Sequence, residues 1–144
     1  MTLKIIDTIG DDKIAKVYIA KTATNKYLEF TESIPPLLTR QDKWVLVVSV
    51  LFGCPVGCLM CDAGSSFVGR LSPEEIFAQI DYLVKLRYPN MSIDCSEFKI
   101  QFARMGEPVL NLAVLDVLQE LPERYKCVGL LPSISTIAPQ GSDV

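Results

Sequence analysis

At 144 residues, 49% of them hydrophobic, the chain has the length of one domain and enough apolar content to build a core. A formal net charge of -3 and the absence of histidine exclude a strongly basic nucleic-acid-binding surface on this segment, because phosphate contacts need clustered Lys and Arg. No stretch approaches the roughly 20 apolar residues of a bilayer span, and Met1 to Gly10 lacks a secretory signal's basic start and apolar run, so a cytoplasmic protein without a membrane partner is expected.

Lys13 to Ala20 places Ile14, Val17 and Ile19 among polar neighbours, and Tyr27 to Phe30 alternates after a Thr-Ala-Thr-Asn turn, which predicts a small β-hairpin. Lys4, Asp11, Asp12 and Lys13 read as a mixed-charge surface. Pro35-Pro36 and the polar run Thr39 to Asp42 then interrupt regular structure, since proline fixes φ and removes a donor. Residues 1–42 are therefore expected to form a hairpin and connector, and residues 43–144 the main unit.

Trp44 to Val50 is short, rich in β-branched residues and continuously apolar, the pattern of a parallel strand covered on both faces. The turn Gly53-Cys54-Pro55 ends it. Ser72-Pro73-Glu74-Glu75 opens a helix with a cap, a first-turn proline and a capping box, and Ile76, Ile80, Leu83, Val84 and Leu86 continue it up to Pro89. Phe98 to Ala103 predicts a second strand, Val109 to Leu121 a second helix stopped by Pro122, and Cys127 to Ile134 a third strand in which Pro132 argues against a central position. Alternation of strand and helix implies an α/β fold with right-handed crossovers.

The chemistry concentrates at Cys54, Cys58 and Cys61. Five cysteines, an odd number with three crowded together, suit a metal site in a reducing compartment better than a disulfide framework. Without histidine, a soft metal must be held mainly by sulfur. The C-x3-C-x2-C spacing can put three thiolates on three irons of a cubane cluster and leave the fourth iron open to an exogenous molecule. The alternative is a non-catalytic cysteine-ligated module, with zinc held by the same three residues plus Cys95 or Cys127, although structural zinc usually takes paired C-x2-C knuckles. A second constellation, Met105-Gly106-Glu107-Pro108-Val109-Leu110-Asn111, follows the second strand at the end where α/β barrels place their sites. There Gly106 permits close backbone approach and Glu107 offers a carboxylate to an ammonium group. Surface turns of this composition are common, and on its own the turn is weak evidence.

Together the two motifs resemble the radical S-adenosylmethionine (SAM) superfamily, whose signature is this cysteine spacing after the first barrel strand. The resemblance implies a partial βα barrel, a 4Fe-4S cluster on Cys54, Cys58 and Cys61, SAM on the open iron, and Gly106 and Glu107 at the SAM amino group. The wording Met-Gly-Glu-Pro-x-Leu-Asn is similar to the branch of dual-specificity and antibiotic-resistance methyltransferases that methylate C2 or C8 of an adenine in 23S rRNA. Ser135-Thr136 resembles that branch's Ser-Thr-x-Gly turn, whose serine contacts SAM, although Ile137-Ala138 replaces the small-Gly step. Lys26 to Phe30 occupies the place of the pre-barrel hairpin. The implied partners are an RNA substrate and an external electron donor. The branch's two catalytic cysteines, one of them methyl-carrying, find no match in this chain. Three strands and two helices would be the N-terminal half only of such a barrel, and its open sheet edge is an expected site of self-association.

Overall fold

The computed structural model describes residues 2–142, so Met1 and residues 143–144, the outer ends of the two expected units, lie outside the described residues. Three strands open the chain: β1 (Lys4–Asp11), β2 (Ala15–Lys21) and β3 (Tyr27–Ser33), each antiparallel to the one before. The expected hairpin is thus a three-stranded meander. Lys4–Asp11 mixes charge with apolar residues, and a register shift between Ile5 and Asp7 breaks the period of two that would mark it as a strand.

The meander is continuous with the rest of the sheet. β3 pairs antiparallel with β4 (Lys43–Val48), and β4 pairs parallel with β7 (Glu97–Phe102), which pairs parallel with β8 (Leu130–Ile134). The six-stranded order is β1-β2-β3-β4-β7-β8, a mixed sheet that runs across the expected boundary at residue 42. A separate ribbon pairs β5 (Leu51–Phe52) with β6 (Gly69–Arg70).

Trp44, Leu46 and Val48 of β4 and Phe98, Ile100 and Phe102 of β7 are fully buried on one face, while Val45, Val47, Lys99 and Gln101 opposite are half-buried. β4 is therefore covered fully on one face only, a departure from its continuous apolar pattern. Two helices supply the cover: α1 (Pro73–Arg87), through Ile76, Ile80, Leu83 and Val84, and α2 (Ala113–Arg124), through Val114, Val117 and Leu121. Ser72 and Glu75 make the capping box at the start of α1, an arrangement worth about 1 kcal/mol.

Pro122 acts otherwise than the sequence suggests. A 3-10 turn over Pro108–Leu110 precedes α2, and the helix passes through Pro122 to Arg124. Only one hydrogen bond near the helix end is lost there, and buried Leu121 and Tyr125 hold the last turn, with the Tyr125 hydroxyl donating to Asp81 at 2.6 Å. In β8, Phe98 N donates to Gly129 O, so by parallel alternation Leu131 and Ser133 turn their peptide groups toward β7, and Leu130, Pro132 and Ile134 turn theirs outward. Pro132 thus costs the β7–β8 ladder nothing and removes a donor from the open edge. Leu130 N is already taken by Cys127 O at 3.1 Å. Leu130 and Pro132 thus offer no free N–H on that side, while the outward carbonyls of the strand remain available as acceptors.

Below the sheet's other end, Glu32 is a buried carboxylate on the core face of β3. It accepts from Tyr18 Oη at 2.7 Å, Trp44 Nε1 at 2.9 Å and Arg87 Nε at 3.0 Å, tying the meander to β4 and α1. Burial alone would raise the carboxyl's pKa, but the hydrogen bonds from Arg87, Tyr18 and Trp44 outweigh it and hold Glu32 below the usual carboxylate range.

Candidate cofactor site

The cysteines lie on residues 53–68, between β5 and β6, beyond the C-terminal end of β4. Gly53 closes the base of this loop. Its φ is +78°, and a Cβ there would lie 1.5 Å from Ser66 O, so no larger residue fits. Val68 N donates to Phe52 O at 2.8 Å, and Cys61 N to Cys58 O at 3.0 Å. Cys54 and Cys58 are half-buried, Cys61 is exposed, and all three are free thiols.

Among the described residues no three His, Cys, Asp or Glu side chains converge closely enough to hold a metal ion, so the loop carries its thiols without gathering them on one point. The donor set nonetheless fits a thiophilic group: three free thiols on one loop, in a chain with no histidine. A zinc site completed by Cys95 or Cys127 does not fit the topology. Cys95 and Cys127 precede the parallel strands β7 and β8, whereas the loop follows β4, so about 20 Å of strand separates them. There Cys95 Sγ donates to Glu97 O, and Cys127 Sγ meets Cys95 O at 3.6 Å.

The Gly-Glu-Pro turn abuts the stem of the cysteine loop. Met105 O accepts from Val50 N at 2.9 Å and Leu51 N at 3.1 Å. Gly106 has φ +97°, and a Cβ on it would lie 2.4 Å from Leu51 Cβ, so the close approach its glycine permits is to Leu51. Glu107 is buried; Oε1 accepts from Val109 N at 3.3 Å and Oε2 from Ile137 N at 3.0 Å. The structure therefore joins Glu107 to the segment just after Ser135. Ser135 itself is exposed, with Oγ 2.9 Å from Gln101 Nε2.

Several site residues are not marked by the sequence motifs. A cavity of about 400 Å³ opens between the cysteine loop and the end of β7, lined among others by Glu29, Cys61, Asp62, Arg104 and Met105. Arg104 Nη2 pairs with Glu29 Oε2 at 2.7 Å across it. Arg70 donates through Nε to Leu110 O and so ties β6 to the turn. Asn111 Nδ2 donates to Val50 O at 2.7 Å and Leu71 O at 2.8 Å. Asn111 falls in the quoted motif, but Glu29 and Arg104 are 75 positions apart and have no sequence signal.

No family model matches the sequence. Curated relatives do: a probable dual-specificity RNA methyltransferase RlmN of Chlorobium phaeobacteroides is 29% identical over 93% of this chain and 42% of its own length. That of Desulfosudis oleivorans is 34% identical over 72% of this chain and 28% of its own, and one of Desulfitobacterium hafniense 32% identical over 82% and 33%. The chain thus spans between 28% and 42% of the length of these relatives. Among solved structures, a radical SAM methyltransferase from Sphaerobacter thermophilus superimposes with a TM-score of 0.75 at 21% identity, over 99% of this chain and 43% of that one. The chain is a relative of the dual-specificity RNA methyltransferases RlmN and has the fold of part of a radical SAM methyltransferase.

Proposed function

We propose that this chain forms the cluster- and SAM-binding part of a cytoplasmic radical SAM enzyme that methylates an adenine in RNA. In this reading β4, β7 and β8 are the first three strands of a partial barrel, and residues 1–42 form the unit before it. Cys54, Cys58 and Cys61 would hold a 4Fe-4S cluster as thiolates. When bound, the cluster supplies the electron for reductive cleavage of SAM, delivered to it by an external donor.

The chain's own residues would bind and orient. Glu107 uses one acceptor position on each oxygen for Val109 and Ile137, and a carboxylate has about four, so capacity remains for a ligand's ammonium group. Gly106, seated on Leu51, sets Glu107 beside the loop stem. The Ser135 hydroxyl accepts from Gln101 and retains its own proton to donate. With a net charge of -3, this segment would leave most RNA phosphate contacts to other surfaces. The observation that carries the reading is the shared stem: the loop with three free thiols and the Gly-Glu-Pro turn are hydrogen-bonded through Val50, Leu51 and Met105.

Anaerobic reconstitution with iron and sulfide should give about four irons per chain, and Cys58→Ala should abolish this. One zinc and no iron in the purified protein would favour the non-catalytic metal module instead. If a cluster forms but the full-length protein leaves SAM uncleaved under reductant, the enzyme reading fails.

A further inference from the structure

Four of the seven buried polar side chains among the described residues gather at one place: Ser49, Gln79, Glu107 and Asn111. Ser49 and Gln79 are completely inaccessible to solvent. Three of the four converge on the break between β4 and β5. Gln79, from the middle of α1, accepts from Ser49 N at 2.8 Å through Oε1 and donates to Ser49 O at 2.9 Å through Nε2. Ser49 Oγ donates to Glu29 O on β3 and accepts from Met105 N at 3.1 Å. Asn111 Nδ2 holds Val50 O and Leu71 O, while Oδ1 takes Ala113 N at 3.2 Å.

A core built for stability alone would seldom place three hydrogen-bonding side chains where leucine or valine would pack, because each buried polar group must be fully matched. Here the matching is between side chains and the backbone of residues 49–50, where the chain leaves the main sheet to enter the cysteine-loop ribbon. The backbone N and O of Ser49 have no ladder partner of their own, and Gln79 of α1 replaces both; Val50 O, which accepts from Leu71 N at 3.1 Å, takes a second bond from Asn111 just before α2. Ser49 meanwhile fixes the distance from the break to β3 and to the Gly-Glu-Pro turn.

We infer that Ser49, Gln79 and Asn111 are positioning residues for the proposed cluster, holding the β4–β5 break so that the thiol loop and the Gly106-Glu107 turn keep one mutual setting. They act on the cluster through the backbone of residues 49–50, which leads into the thiol loop. This inference rests on the proposed cluster reading for its consequence, but its structural half is testable without metal.

The test compares Ser49→Ala, Gln79→Met and Asn111→Leu with Val117→Ala, a core control in α2 outside this hydrogen-bond set, in two measurements. In the metal-free protein, amide hydrogen exchange over residues 53–68 should quicken in the three variants while α1 amides stay protected; in the control the loop should exchange as in the parent. In anaerobically reconstituted protein, the three variants should lose iron to a chelator about tenfold faster than the control and show altered electron paramagnetic resonance of the reduced cluster. Gln79→Glu, which keeps the acceptor for Ser49 N, should recover part of the loop protection. Unchanged loop exchange in all three variants overturns the inference, as does iron loss no faster than in Val117→Ala. A parent protein that takes up no iron refutes the cluster reading, and the exchange measurement then decides the inference by itself.

Discussion

Glu32 shows what one buried side chain does for this molecule. Its carboxylate joins β2, β4 and α1 through Tyr18, Trp44 and Arg87, and Arg87 also pairs with Asp12 at 2.6 Å. Breaking such a network from one side leaves Arg87 partly buried with less compensation, so Glu32→Gln should cost about 3 kcal/mol at neutral pH in urea unfolding. The pH dependence has a definite sign. Glu32 is held below its ordinary value, and so is Asp81, where burial is outweighed by hydrogen bonds from Arg124 and Tyr125; Asp12 is drawn down to about 2, mainly by Arg87. Groups with depressed folded-state values contribute stability above the ordinary carboxylate range and lose it as pH falls through their own values. The thermal midpoint should therefore drop between about pH 5 and pH 2, and less steeply in Glu32→Gln. Equal acid slopes in the two proteins would show that Glu32 does not carry the effect.

At the scale of elements, β8 illustrates how one residue type serves a topology. Its proline falls on the outward-facing side of the edge strand, so the inner ladder is complete and the outer edge lacks a donor. Leu131 and Ile134 remain exposed along it. Pro132→Val would restore the missing N–H and raise β-propensity, and should increase concentration-dependent self-association in light scattering. An unchanged particle size across a concentration series would mean that the edge is protected by something other than Pro132.

For the whole molecule, the sheet is the decisive feature. Tyr18, Leu28 and Phe30 of the meander lie in the same core cluster as Trp44, Ile100 and Leu83, and β3 pairs with β4 through Thr31, Glu32 and Ser33. Residues 43–144 alone would expose that edge of β4 and the apolar surface beside it. The shortened chain should therefore show no cooperative thermal transition by circular dichroism, and a sharp transition would mark two separable units. On the opposite face Ile9 is exposed and Val17, Ile19, Val45 and Val47 are half-buried, with Glu29, Thr31 and Ser33 of β3 between them.

Local signals in the sequence were enough for the elements whose cause is local. Ser72-Pro73-Glu74-Glu75 specifies the start of α1 because a capping box is closed within four residues, and the alternation of Phe98, Ile100 and Phe102 specifies β7 because one face is buried. The three thiols and the Gly-Glu-Pro turn were legible as motifs for the same reason: spacing along the chain is their signal. Tertiary structure alone decided that Lys4–Asp11 is a strand, that Arg104 meets Glu29, and that Ser49, Gln79 and Asn111 converge on one break. Each of these depends on a partner from 30 to 75 positions away or on a place in the sheet order, and no local pattern of residues encodes either.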